Sequence, residues 1–348
     1  MVAILVTMVE RKLRSSLILM GVIVALIAAG VTLVVIEQGT SGPSGPVSSL
    51  SCSTSTSCIA LGFDRDGNYS LTSSNGGTTW EAGGTLAGEA GIGVVLCIGR
   101  THCLAAGTVN PGLVSSTNDG GQQWSVAIDG FVSFGLACPS ENLCLSPGFF
   151  RVGQPIVERT TDGGGTWTPV VLPTTRVPTT VWCSTPEDCF VSAGGSPLSL
   201  FISRDGGQTW VQSPSSIGAE SVLRAECPAA GHCILVGRYI FTTLDNGAAW
   251  TRFPFTSNWF GAFITVTCAD PMHCLAAGGG DLVSTSDGGT TWALRSLTGL
   301  ESPSITGLTC QPGTQTCLAS GVEDGGGVSG FIERSDNAGR SWTLVDHG

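Results

Sequence analysis

A tryptophan-centred motif, [Ser/Thr]-x-[Asp/Asn]-x-Gly-x-x-Trp, returns seven times and constrains the fold more than any other feature of the chain. The copies are Ser73-Asn75-Gly77-Trp80, Thr117-Asp119-Gly121-Trp124, Thr160-Asp162-Gly164-Trp167, Ser203-Asp205-Gly207-Trp210, Thr243-Asp245-Gly247-Trp250, Thr285-Asp287-Gly289-Trp292 and Ser335-Asn337-Gly339-Trp342. Successive Trp residues are 44, 43, 43, 40, 42 and 50 positions apart. A cysteine pair precedes every copy: Cys52/Cys58, Cys97/Cys103, Cys138/Cys144, Cys183/Cys189, Cys227/Cys233, Cys268/Cys274 and Cys310/Cys317. Two patterns counting to seven in phase predict seven copies of one supersecondary unit.

The second copy shows what that unit is. Val94–Cys97, Cys103–Gly107, Leu113–Ser116 and Gln123–Val126 read as four short strands separated by Gly, Pro, Asn and Asp turns. Four-stranded meanders at this period are blades of a β-propeller, which buries both faces of each sheet against its neighbours around a ring. The expected fold is therefore all-β: a seven-bladed propeller over residues 47–348. Each blade contributes all four of its own strands, so closure joins whole blades. Composition agrees. Of 348 residues 50 are Gly and only 12% are charged, too turn-rich and too weakly charged for a helical bundle, while a 42% hydrophobic content is too high for a disordered chain.

The motif has a structural use in the meander. Its Ser/Thr and Asp/Asn side chains can accept backbone amides in the turn between strands three and four, Gly supplies a positive φ, and Trp packs beneath the hairpin. The motif resembles the Asp-box, or BNR repeat, of sialidases, sortilin-type receptors and photosystem II assembly-factor-like propellers. The resemblance implies that the seven boxes are structural; Asn75 and Asn337 depart from the pattern but keep the acceptor. Sialidase chemistry would need a Tyr nucleophile paired with Glu, an Asp acid/base and three Arg around a carboxylate. Tyr69 and Tyr239 are the only tyrosines, and each lies four residues before the opening Ser or Thr of its box, a shared position that reads as packing. The Arg-Ile-Pro signature of sialidases is absent, and their propellers have six blades. The resemblance to assembly factors implies a non-enzymatic scaffold that holds a protein partner; the alternative is a glycoside hydrolase or a carbohydrate-binding propeller. No cofactor is expected.

The fourteen cysteines allow two readings. Seven hairpin disulfides would each close a loop of about seven residues, worth at most ~2.4 kcal/mol on a chain-entropy argument. Zinc would require four converging ligands, and pairs spread around a ring do not converge. Disulfides in turn imply an oxidising compartment. His102, His232 and His273 each precede the second Cys of their blade, as a partial metal ring or as polar turn residues.

Topology sorts the loops. Turns between strands one and two, and between three and four, fall on one face of the disc with the disulfides and boxes. The remaining, longer loops occupy the opposite face, where binding residues of rigid scaffolds concentrate. Two aromatic clusters are expected there: Phe149-Phe150-Arg151 in the loop after strand two of blade 3, and Arg252 through Phe260 after blade 5, with Phe255, Trp259 and Phe260 as anchors. They serve as an interface or fold over to cap the blades. The position before the first Cys should line the central channel, and there Trp182 and Glu226 stand out, with Arg224 on the same side of its strand. Arg224 and Glu226 form either a ligand site or a structural cross-blade ion pair.

The N-terminus is a separate object. Leu17 to Ile36 carries no charge over 20 residues, about 30 Å of helix at roughly 1.5 Å per residue, the thickness of a bilayer core. Arg11, Lys12 and Arg14 precede it and no basic residue follows until Arg65. The positive-inside rule then places residues 1–16 in the cytoplasm, 17–36 across the membrane as a signal anchor, 37–46 as a Gly/Pro/Ser linker, and the propeller outside. A cleaved signal peptide with Ala28-Ala29-Gly30 as its processing site is the alternative, and it too implies export. After Ile36 there are 12 Arg against 25 acids. That balance excludes nucleic acid and favours a basic protein partner, or a glycan, at the envelope.

Overall fold

The computed structural model describes residues 22–27, 30–35, 45–87, 92–107, 112–150, 154–195, 197–213, 217, 222–254, 261–300, 303–324 and 328–347. The chain divides into two units, Met1–Ser41 and Gly42–Gly348.

In the first unit, strands Val22–Ile27 and Gly30–Val35 pair antiparallel, from Val22↔Val35 to Ile27↔Gly30. This differs from the expected helix over 17–36. The segment is dense in β-branched Val, Ile and Thr, which favour extended backbone. Among the described residues no helix is long and apolar enough to cross a membrane. Residues 1–16, expected in the cytoplasm, and nearly all of 37–46, expected as a linker, lie outside the described residues.

The second unit contains seven four-stranded antiparallel sheets, each in sequential strand order, confirming a seven-bladed all-β propeller. The innermost strands are Val47–Cys52, Ile92–Cys97, Phe131–Ser133, Pro178–Cys183, Val222–Ala229, Thr265–Cys268 and Pro303–Cys310. Blade 1 ends with Glu81–Leu86 and blade 7 with Thr343–His347, so no strand is shared at closure. Blade 2 runs Ile92–Cys97, Cys103–Gly107, Leu113–Thr117 and Ser125–Asp129. Its fourth strand starts one residue after Trp124, because the indole turns inward before the chain begins to pair.

All seven Cys pairs are disulfides, Cys52–Cys58, Cys97–Cys103, Cys138–Cys144, Cys183–Cys189, Cys227–Cys233, Cys268–Cys274 and Cys310–Cys317, with sulfurs 2.03–2.10 Å apart. Among the described residues no cysteine is free. One aspect of the hairpin-staple expectation needs correcting, because the two halves of each staple are not equivalent. Cys58, Cys103, Cys144, Cys189, Cys233, Cys274 and Cys317 are buried, none more than 2% exposed. Their partners are half-buried, except Cys52, which is buried too. The second cysteine opens the second strand, which has a neighbour on either side in its sheet and a blade packed on each face. Cys58, Cys103, Cys189, Cys233, Cys274 and Cys317 accordingly belong to the hydrophobic clusters between blades. The disulfides are thus core groups through their second sulfurs, and not only ties across a surface turn.

All seven boxes close alike. The Ser or Thr hydroxyl accepts the amide of the box Gly at 2.8–3.1 Å, as Gly77 to Ser73 and Gly247 to Thr243. The Asp or Asn Oδ1 accepts the amide just before the Trp at 2.8–2.9 Å. At Asn75 and Asn337 the Nδ2 donates to Thr79 and Ser341 hydroxyls at 2.7 and 2.8 Å. Asn thus fills the role of Asp with the hydrogen-bond direction reversed. The box is also tied to its blade's disulfide hairpin: the amide before the box Gly donates to a hairpin carbonyl in every blade, from Gly76 to Thr56 at 2.8 Å through Ala338 to Gln315 at 2.7 Å. Boxes and disulfides therefore share one face.

The hydrophobic core is the set of seams between blades. Separate clusters fill the seven seams; Leu145, Val157, Val181 and Phe201 join blades 3 and 4, and Leu318 and Ile332 join blade 7 to Leu50 and Trp80 of blade 1. Each seam is latched by the box of the following blade. A Cβ on Gly77, Gly164, Gly207 or Gly339 would come closer than 3.0 Å to Leu318, Leu104, Leu145 or Leu275 of the preceding blade. The struck residue always follows the second Cys. Polar donors reinforce the latch: His102 Nε2 to the Gly163 carbonyl at 2.6 Å, Arg159 Nε to Gly206 at 2.8 Å, His232 Nε2 to Gly288 at 3.0 Å and Gln311 Nε2 to Gly76 at 2.7 Å. Two of the three histidines that suggested a metal ring are thus seam latches, and the third, His273, pairs with Asp270 at 2.9 Å. Among the described residues no cluster of His, Cys, Asp and Glu has the form of a metal site.

Candidate functional site

The innermost strands end a sheet, and their outward backbone groups need partners. Hydroxyls of the preceding blade supply some: Ser49 accepts the Val95 amide at 3.0 Å, Ser51 the Cys97 amide at 2.9 Å and Thr267 the Cys310 amide at 3.1 Å. The position before the first Cys thus faces the next blade at the wall of the channel. Trp182 borders the channel there, but its ring is turned into the seam. Only 3% exposed, it stacks on Phe190 at 5.5 Å and meets Trp250 edge-on at 6.5 Å, filling the seam between blades 4 and 5. A bulky apolar ring gains more from that seam than from a polar channel.

Inside the channel a cavity of ≈ 440 Å³ is walled by the inner strands of blades 1, 2, 5, 6 and 7. A neighbouring cavity of ≈ 360 Å³ continues along blades 3 and 4 to the disulfide hairpins at Cys138 and Cys183. Glu226 lines both. The blade 5 strand that carries it is bulged on either side, between Val222 and Arg224 and between Glu226 and Ala229. Arg224 stretches across the channel: its Nη2 donates to the Gly93 carbonyl of blade 2 at 3.1 Å. Among the described residues no ion pair joins Arg224 and Glu226 to each other or to another blade, so the cross-blade ion pair is not formed. Enclosure by protein pushes the Glu226 carboxyl up to about 7 and lowers the Arg224 guanidinium.

The other acid at the cavity is Asp270. Burial pushes its carboxyl up, but Gln315 and His273 side chains and the Met272 and His273 amides outweigh that and hold it at about 2. The box carboxylates are engaged too. The Gln123, Thr166 and Ala249 amides are the chief causes that hold Asp119, Asp162 and Asp245 below the usual carboxylate range.

The aromatic clusters are placed in part. Phe149 and Phe150 belong to strand Cys144–Phe150 and pair with Val132 and Phe131, not to a loop as expected. Gly148 permits this, since a Cβ there would overlap the Val132 carbonyl oxygen. Phe149 meets Phe134 at 5.8 Å, and Phe150, 37% exposed, meets Phe131 at 5.3 Å. Arg252 lies over the Tyr239 ring, 4.7 Å from its centroid. Tyr69 donates to the Gly45 carbonyl at 2.8 Å. Both tyrosines therefore pack at the blade edges. Arg151, Phe255, Trp259 and Phe260 lie outside the described residues.

Sequence reasoning did not find the seam latch, although its signal is in the chain: Ile59, Leu104, Leu145, Phe190, Ile234, Leu275 and Leu318 each follow a second Cys.

Comparison with known proteins agrees with this fold. A BNR/Asp-box repeat model matches residues 201–212, the box of blade 4. No curated protein sequence matches the chain. Among solved structures, YCF48 bound to D1 peptide superimposes with a TM-score of 0.59 at 17% identity, covering 84% of this chain and 92% of that one. YCF48 from Cyanidioschyzon merolae gives 0.53 at 18% identity over 70% and 81%. The structure of U3-55K gives 0.57 at 9% identity over 75% and 83%. The chain thus has the seven-bladed fold of the YCF48 propellers and carries the Asp-box repeat.

Proposed function

We propose that this chain is a non-enzymatic, polypeptide-binding scaffold, held at a membrane by residues 17–36 with its propeller on the extracytoplasmic side. The observation that carries the binding reading is the channel: a rigid polar cavity of ≈ 440 Å³ in which Glu226 stands without a partner group among the described residues. A hydrolase would pair that carboxyl with a second one across the scissile bond, and Asp270 is committed to His273 and Gln315. That a YCF48 propeller of the same fold is bound to a D1 peptide supports a polypeptide as the partner. Seven disulfides favour an oxidising compartment, and the basic residues before Leu17 favour a cytoplasmic N-terminus.

Cross-linking the full-length chain in its native membrane, followed by affinity capture, tests the proposal. The expected product is a polypeptide joined to the channel mouth or to the Phe149–Phe150 rim, lost when Glu226→Gln and Phe149→Ala are combined. Recovery no different from that of an unrelated propeller on the same anchor would remove it. Protease added outside sealed cells should digest a tag fused after Gly348; protection of that tag would reverse the topology.

A further inference from the structure

We propose that the channel is a receptor for one primary ammonium group, a lysine side chain or an amino terminus, of the bound polypeptide, with Glu226 as its counter-charge. This rests on reading the propeller as a polypeptide-binding scaffold and names the chemistry of the group it takes.

Three observations converge on it. First, Glu226 opens onto both channel cavities and has no ion pair or hydrogen bond among the described residues, whereas Asp270 is satisfied by neighbours. A carboxylate so enclosed gains from a compact cation that replaces lost hydration. Second, the surrounding wall suits an ammonium. Ser51, Thr267 and Thr309 stand at the same repeat position around the cavity; Ser51 and Thr267 each accept one amide of the next blade, and the second lone pair of each hydroxyl oxygen is left to accept an N–H bond. Third, Arg224 is drawn away to the Gly93 carbonyl of blade 2, which leaves Glu226 without an internal counter-charge among the described residues. The exported part of the chain, with 12 Arg against 25 acids, draws such a cation toward it.

Proton linkage adds a signature. The charged groups lining the two cavities are Arg224, Glu226 and Asp270. Asp270 is ionised throughout the neutral range and Arg224 stays cationic, so Glu226 alone titrates there, near 7. Affinity for an ammonium should then rise about tenfold between pH 6 and pH 8 as Glu226 ionises.

The full-length protein in detergent is titrated calorimetrically with two capped nonapeptides, Gly/Ser-rich with a central lysine or a central norleucine, and with the norleucine peptide bearing a free amino terminus. Wild type is expected to prefer lysine or the free terminus over the capped norleucine peptide, by about tenfold more at pH 8 than at pH 6 for lysine and only about fourfold more for the free terminus, whose own α-amino group loses its proton near pH 8. Whichever is preferred identifies the source. Glu226→Gln should erase both preference and pH dependence, while Glu226→Asp, of retained charge, keeps the pH dependence and shows that the strand tolerates change. Equal binding of all three peptides by wild type at pH 8, or an unchanged pH profile in Glu226→Gln, overturns the proposal. Retention of the cross-linked partner by Glu226→Gln at wild-type level would remove the ammonium site and leave the scaffold standing. Lysine preference with no partner recovered from membranes would do the reverse.

Discussion

Replacing Gly77 by alanine probes the seam at which the ring closes. Closure there uses side chains in place of a shared strand, so the box of blade 1 must seat on blade 7. Gly77 has a φ of 80°, and a Cβ would lie 2.7 Å from both Cδ atoms of Leu318, a fully buried residue. Two costs add. Holding an L-residue in the left-handed region costs roughly 1–2 kcal/mol, and forcing a methyl into a packed seam costs about 1–3 kcal/mol more. Gly120 isolates the first cost, since its φ is 75° and nothing lies within 4 Å of its Cβ position. Gly120→Ala should therefore lose ~1–2 kcal/mol and Gly77→Ala ~2–5 kcal/mol, a further fall in Tm of several degrees at roughly 2 °C per kcal/mol. Leu318→Ala alone should cost ~2–5 kcal/mol. Combined with Gly77→Ala it vacates the space the methyl needs, so the double variant should fall short of additivity by at least ~1 kcal/mol. Urea unfolding with disulfides intact, followed by tryptophan fluorescence, gives all four values. Equal losses at Gly77 and Gly120, or strict additivity with Leu318→Ala, would refute the latch.

Other perturbations test separate parts of the account. Glu333 is 0% exposed, its Oε2 has no partner, and burial pushes its carboxyl up to about 7 from an ordinary 4.5. An acid whose folded value is raised destabilises the fold as pH climbs from the unfolded value to the folded one, here by about 3 kcal/mol between pH 4.5 and 7. Glu333→Gln should remove that slope, measured as unfolding free energy at pH 4.5 and pH 8; an identical effect at both pH values would contradict it. Thiol labelling of the unfolded, unreduced chain should find no reactive cysteine, and more than one label per chain would break the seven-disulfide assignment. Glu226→Thr should raise Tm, because threonine at this position bridges to the next blade elsewhere in the ring; a lower Tm would make Glu226 a structural residue.

Blade number, strand order, disulfide pairing and box geometry were legible because each is set within about forty residues and repeated in phase. The seam was harder to read. Its contacts join the box of one blade to the residue after the second Cys of the blade before, and nothing local to either half reveals the other. The burial of Cys189 or Cys317 was hidden for the same reason, since the pairing is local but the packing around the second sulfur comes from the adjacent blade. Phe149 and Phe150 read as loop because Pro147-Gly148 is a turn signal. Gly148 acts differently, admitting a close approach by the first strand of blade 3. Trp182 borders the channel as its repeat position implies, but its size turns most of the ring into the seam. Around the ring that position holds Ser51, Leu96, Ala137, Trp182, Glu226, Thr267 and Thr309, so each seam is completed by a different chemistry.

That variation bears on why Glu226 is there. Where the position is Ser51 or Thr267, its hydroxyl accepts the first-Cys amide of the next blade and welds two inner strands. Where it is Trp182, an aromatic stack fills the seam. Glu226 forms no such bridge among the described residues, and its ionised form is disfavoured by enclosure. A residue that neither welds nor packs, and that is costly to ionise, is hard to account for by stability. Its neighbour Arg224 reinforces the point, because enclosure disfavours its charged form and its guanidinium has a single carbonyl across the channel as its hydrogen-bond partner among the described residues. Both charges stand between a bulge that blades 1, 2, 4 and 7 share and a second, between Glu226 and Ala229, found among the described inner strands in blade 5 alone; a bulge re-aims side chains and weakens a regular ladder. Disulfides and box latches give the ring the rigidity to tolerate this, and the charged strand of blade 5 is where the proposed binding draws on that tolerance.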